Sequence, residues 1–187
     1  VITPACQQIQ AGFKTDIAPK NWKCAIVFLL LYDYNQNVEI MSFTALCIPI
    51  FDESIREYHK TDNVDTPISN PYPFKSIEYY LYLKNWIDTV QWHFEDIIRD
   101  PNIDPAEALV LKRRIDKSNQ DRTDLVELID SYFLDKYKDV KVQADATINT
   151  ESPAWAVDRL SILSLKIYHM QQEVDRTDTT PEHHAQC

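Results

Sequence analysis

A single glycine, Gly12, serves a chain of 187 residues, and none occurs after it. Phosphate-cradling loops and strained nucleophile turns need glycine for positive φ or for close backbone approach. A P-loop, a dinucleotide fingerprint and an α/β-hydrolase elbow are therefore excluded. Tight β-hairpins would want Asn-Gly or Asp-Gly turns, so a β-rich fold is disfavoured and helices joined by Pro, Asn and Asp turns fit better. Cysteine is scarce and unpatterned: Cys6, Cys24, Cys47 and Cys187 form no CxxC pair and no metal-ligand spacing, which reads as isolated thiols in a reducing compartment. No apolar run approaches the roughly 18 residues of a membrane span. The run CAIVFLLLY, Cys24 to Tyr32, follows Lys14, Lys20 and Lys23 as a signal peptide would, but the DYNQNVEI after it offers no small-residue cleavage site. Positive charge is also short. A net charge of −10 and a pI near 4.9 argue against a sequence-independent nucleic-acid binder. The basic triplet Lys112, Arg113 and Arg114 reads as a solvated helix face.

What is present points to an all-α fold, a bundle of four or more long amphipathic helices with short Pro/Asn/Asp-rich connections. The length suits one domain with a real core. Residues 1–40 differ in composition from the rest and read as a leader or upstream extension, with a short strand or helix docked on the core as the rival. Residues 41–187 read as the helical domain, incomplete at its C-terminus, because Thr180 and Pro181 look like one more helix start. A first helix is expected from Ser42 to Tyr58 or His59, with Ile48, Phe51, Ile55 and Tyr58 inward and Pro49 kinking it or delaying its start. Thr61 to Phe74 is a loop by composition. Ser76 caps a second helix to about Arg99, whose stripe is Tyr80, Leu83, Ile87, Val90, Phe94 and Ile97. Asp104, Pro105 and Glu107 open a third that continues to about Lys138. Ser152 and Pro153 open a fourth, in which Ala156, Leu160, Leu163, Ile167, Met170 and Val174 recur on one face, expected to be core.

The third stripe reads Leu111, Ile115, Asn119, Arg122, Val126, Ile129, Phe133, so two polar residues stand where apolar ones belong. A guanidinium on a core face must find a carboxylate or a ligand; Glu95, Asp96, Asp158 and Glu173 are the acids available. Ion pairing that fixes helix register is the plainer outcome. On the second helix His93, Glu95, Asp96 and Arg99 crowd beside Trp92, away from the stripe. His93 with Asp96, His169 with Glu173 and His59 with Asp62 could each share a metal or a proton, although the paired Glu-x-x-His sequences of bundle metal sites are absent. Arg159, Lys166, His169, Glu173 and Arg176 form a charged row on the opposite face of the fourth helix, either solvated surface or the wall of a polar site.

The stretches WHFEDIIRDP, KRRIDKSNQDRTDLVELID and INTESPAWAVDRLSILSLKIYHM resemble the bacterial proteins grouped as domain of unknown function 4254, over about residues 41 to 187. The resemblance implies an all-helical protein whose relatives continue past the equivalent of Cys187 with a KLxxLxxQ helix and show no counterpart of residues 1–40. It implies no established activity, and a genomic setting near glycosyltransferases of surface-polysaccharide assembly. Two expectations follow for a cytoplasmic protein without a membrane span. One is an accessory or interaction partner of glycosyltransferases in polysaccharide or lipopolysaccharide pathways. The other is a small helical enzyme or binding protein for a phosphorylated or nucleotide-linked sugar, with Arg122, Arg159, Lys166 and His169 on the anion and Glu95 or Asp96 as metal ligand or base.

Overall fold

A computed structural model describes residues 42–180. The leader expected over residues 1–40, the thiols of Cys6, Cys24 and Cys187, and a helix opened at Pro181 lie outside the described residues. The rest is helical: α1 (Phe43–Tyr58), α2 (Ile77–Ile98), α3 (Pro105–Lys136) and α4 (Pro153–Asp175). No described residue is in a strand, and none of these helices is long and apolar enough to cross a membrane. Packing is centred on α2, which touches all three other helices.

The helix starts are local chemistry. The Ser76 hydroxyl accepts the Tyr79 N–H at 3.1 Å, and the Asp104 carboxylate accepts those of Ala106 and Glu107 at 2.8 and 3.2 Å. Ser152 accepts from Trp155, and Pro153 occupies the first turn of α4, where a missing N–H costs nothing. A further cap comes from α3, whose Asp130 accepts the Ala154 N–H at 3.0 Å and so ties α4's first turn to its neighbour. Without glycine, left-handed turns fall to other residues: Asp62, at φ 47°, closes the turn after α1, and Lys75, at φ 68°, precedes the α2 cap. Pro49 lies inside α1 on its exposed side and does not delay the helix start.

The main core joins Cys47, Ile50, Phe51 and Tyr58 of α1 to Leu81, Tyr82 and Trp86 of α2, with Val126, Ile129, Ala154 and Val157 closing it. A smaller one gathers Phe94, Leu111 and Ile115 under the loop residues Val64 and Ile103. Leu111, Ile115, Val126 and Ile129 are buried as their spacing requires.

Three expected faces need correction. Ile48 is exposed, and Cys47, Ile50 and Ser54 take the inner side of α1. In α2 the most buried side includes Lys84, Asn85, Asp88 and Gln91, while Tyr80, Leu83, Ile87 and Val90 are only partly covered and Ile97 is exposed. In α4 the expected stripe faces the core only at its start, where Ala156 and Leu160 are partly buried and Leu160 packs on the main core; Leu163, Ile167, Met170 and Val174 are 50, 61, 43 and 45 % exposed, and Ala154, Val157, Asp158, Ser161 and Leu165 face inward. The reason is polar. Asp158 and Ser161 bond to buried side chains of α2, and a residue two positions on from Ser161 stands about 200° around the helix.

Stability should follow these observed faces. Ile129→Ala, in the buried seam, is expected to cost about 2–5 kcal/mol in urea unfolding, and Ile167→Ala, on the outward face, no more than about 0.5 kcal/mol.

Candidate functional site

Lys84, Asp88 and Gln91 follow one another at helical spacing on the side of α2 that faces α3 and α4, and there they build a buried polar cluster. The Lys84 side chain is 0 % exposed; its ammonium lies 2.7 and 2.6 Å from the two Asp88 oxygens and 2.7 Å from Asp158 Oδ1. Arg122 of α3 donates from Nε to Asp88 Oδ1 at 2.6 Å and from a terminal nitrogen to Asp158 Oδ1 at 3.2 Å. The Ser161 hydroxyl donates to Asp88 Oδ2 at 2.6 Å and accepts from the Asn85 amide at 3.1 Å. Two cations and two anions thus cancel, each with more than one partner, as buried charges require. One turn further along, Ser118 donates to Gln91 Oε1 and Gln91 donates to Asn119 Oδ1, both at 2.8 Å.

Beside this cluster opens a cleft of about 210 Å³ lined by Asp88, Gln91, Trp92, Glu95, Asp96, Arg99, Arg122, Ile162 and Leu165. Its two arginines are already engaged, Arg122 as above and Arg99 with Asp96 at 3.3 Å. On the other side of Trp92 three imidazoles meet. Trp92 stacks on His169 at 4.8 Å between centroids, Tyr58 stacks on His93 at 5.0 Å, and His59 stands against both histidines. His59 Nδ1 lies 2.7 Å from the Ile55 carbonyl, which can only accept, so the proton sits on Nδ1 and the Nε2 lone pair faces His93 Nε2, 3.3 Å away. Burial, with His59 and His93 adding repulsion, pushes His169 down to about 4, and its Nε2 is buried with no hydrogen-bond partner. Burial likewise lowers His93, against the opposing pull of Asp62.

The sequence-derived candidates divide accordingly. Arg122 does find carboxylates, Asp158 being one of the acids proposed for it and Asp88 one that was missed. Glu95, Asp96 and Arg99 share the cleft with Arg122, and His93 and His169 converge. Asn119 does not enter the core: the residue is exposed and only its carbonyl reaches in, to Gln91. Arg159, Lys166 and Glu173 stay outside; Arg159 is exposed and pairs with Glu151, Glu173 pairs with Arg176, and Lys166 is exposed. Lys84, Asp88, Gln91 and Ser161 escaped notice because polar residues at heptad spacing read as a solvent face. The signal was there in Lys84 and Asp88 at i, i+4 on the helix that Arg122 had to meet. In the basic triplet, Arg114 covers the Phe94 ring at 4.4 Å and pairs with Asp65 at 2.6 Å, and Lys112 pairs with Asp116. Cys47 is no nucleophile, since burial pushes its thiol up to about 12.

The family model described as protein of unknown function (DUF4254) matches residues 78–187, more than half of the chain. No curated protein and no solved structure matches it.

Two measurements probe this interior. Lys84→Met or Arg122→Met leaves a buried carboxylate short of a partner and is expected to cost about 3–5 kcal/mol in chemical denaturation. His169 has its folded pKa below the unfolded value of 6.5, so the unfolded state binds the extra proton. The His169 contribution to stability should fall as pH drops from 6.5 towards 4 and be fully lost below that, so that His169→Gln shows a flatter pH dependence over this window.

Proposed function

The chain belongs to the DUF4254 family, and we propose that it acts as an interaction module, an accessory protein to glycosyltransferases of bacterial cell-surface polysaccharide or lipopolysaccharide assembly, working in the cytoplasm. The observation that carries this reading is the outward apolar row of α4: Leu163, Ile167, Met170 and Val174. Contiguous apolar side chains at helical spacing on an acidic, otherwise well-charged protein fit a helix-in-groove or helix-against-helix partner. The class of partner comes from the resemblance given above. A sugar phosphate fits the cleft less well. Its arginines are neutralised by Asp88, Asp158 and Asp96, and Glu95 adds a further acid.

Pairwise binding to the glycosyltransferases of the same cell, measured by biolayer interferometry, tests the reading. Wild-type protein should bind one of them, and Leu163→Glu with Ile167→Glu should weaken that binding at least about 10-fold while the thermal midpoint is held, because these side chains contribute little to the core. Absence of binding by the wild-type protein, or unchanged binding by the double variant, would remove the reading.

A further inference from the structure

The geometry points to a transition-metal site of the zinc class formed by His59, His93 and His169. The residues come from three separate places, the turn closing α1, the last quarter of α2 and the second half of α4. Their ring centroids form a nearly equilateral triangle with sides of 5.3, 5.3 and 5.5 Å, and one ligand nitrogen from each lies within 4.8 Å of the others.

One edge of the nitrogen triangle already has coordination length, and the three ligand atoms lie within 4.8 Å of one another. The 3.3 Å between His59 Nε2 and His93 Nε2 equals the ligand-to-ligand edge of a tetrahedral zinc site, roughly 3.3–3.4 Å for zinc–nitrogen bonds of about 2.0–2.1 Å. His59 is held by a backbone carbonyl on its far nitrogen, the arrangement that orients a metal-bound imidazole and leaves the other lone pair for the ion. His169 has a buried Nε2 with no protein partner, so the protein bears a desolvation cost that coordination would relieve. Tyr58 and Trp92 stack on His93 and His169 and fix the planes of these rings.

The donor set selects the ion. Imidazole nitrogens suit zinc and its neighbours in the first transition row, whereas magnesium and calcium want an oxygen cage. Asp62, with Oδ1 3.7 Å from His93 Nε2, and Asp96 on the next turn of α2 bring negative charge to offset the ion. A site of three imidazoles leaves a coordination position for water or for the Asp62 carboxylate, as catalytic zinc sites do and closed structural ones do not.

The test uses the full chain, purified without a histidine tag, stripped with a chelator, and titrated with Zn²⁺ by calorimetry and with Co²⁺ by visible absorption. A single equivalent of Zn²⁺ should bind at about micromolar Kd or tighter, and Co²⁺ should develop the intense bands of a low-coordinate nitrogen site. His59→Gln, His93→Gln and His169→Gln should each weaken binding about 10–100-fold or more with helical circular dichroism retained. His183→Ala with His184→Ala should leave it unchanged. Asp62→Asn, at an exposed position that the fold tolerates, serves where an imidazole replacement unfolds the chain and should weaken binding about 10-fold. The site is overturned if the stripped wild-type protein takes up no equivalent of metal, or if uptake disappears with the His183 and His184 replacements.

Discussion

The Lys84 ammonium, sealed from solvent between the carboxylates of Asp88 and Asp158, is the interaction on which the arrangement of α2, α3 and α4 rests. Removing four charges from water costs several kcal/mol per ion, and only mutual contact of all four with further hydrogen bonds offsets it. The offset is directional. Leucine ridges can repack after a slip of one residue, but Asp88 must meet Lys84, Arg122 and Ser161 at once, and Asp158 must meet both cations. A single register of the three helices satisfies these distances, so the cluster supplies uniqueness where the apolar seams supply cohesion.

The same constraint explains the outward stripe of α4. Burying Leu163, Ile167 and Met170 would rotate Asp158 and Ser161 away from α2, taking the second carboxylate from Lys84 and Arg122 and the Ser161 hydroxyl from Asp88. The same rotation would expose Val157 and Leu165, at about 1.5–3 kcal/mol each, and added to the loss of a buried ion pair, about 3–5 kcal/mol, this outweighs covering the three half-exposed side chains. Small residues, Ala154 and Ser161, line the inward face and let the α4 backbone come close enough for hydroxyl and carboxylate to reach.

This balance also marks what could be read from the chain alone. The helix starts were legible because a cap is decided within a few residues: Ser76, Asp104 with Pro105, and Ser152 with Pro153 all do what their order implies. The need of Arg122 for a carboxylate was legible too, since a charge on an apolar stripe has few other fates. The rotation of α4 was not, because its apolar stripe is real as a pattern, and only the partner helix tells which of two plausible faces turns in. The buried polar side of α2 was hidden for a like reason. The histidines were each read beside an acid of their own helix, whereas their meeting depends on three elements that sequence spacing does not connect.

Polar cluster and imidazole cluster are coupled through α4. His169 lies eleven positions beyond Asp158, about three turns, and therefore on nearly the same face of the helix. Whatever fixes the Asp158 carboxylate against Lys84 and Arg122 also fixes the direction in which His169 is presented. On α2, His93 follows Asp88 within about a turn and a half, and Trp92 between them faces the cleft and braces His169. A slip of α4 that broke the ion pairs would carry His169 away from His59 and His93 in the same movement. The charges in the middle of the bundle thus act as the rigid support that a three-element imidazole cluster needs, since rings delivered from independent helices stay within ligand distance only if those helices cannot slide.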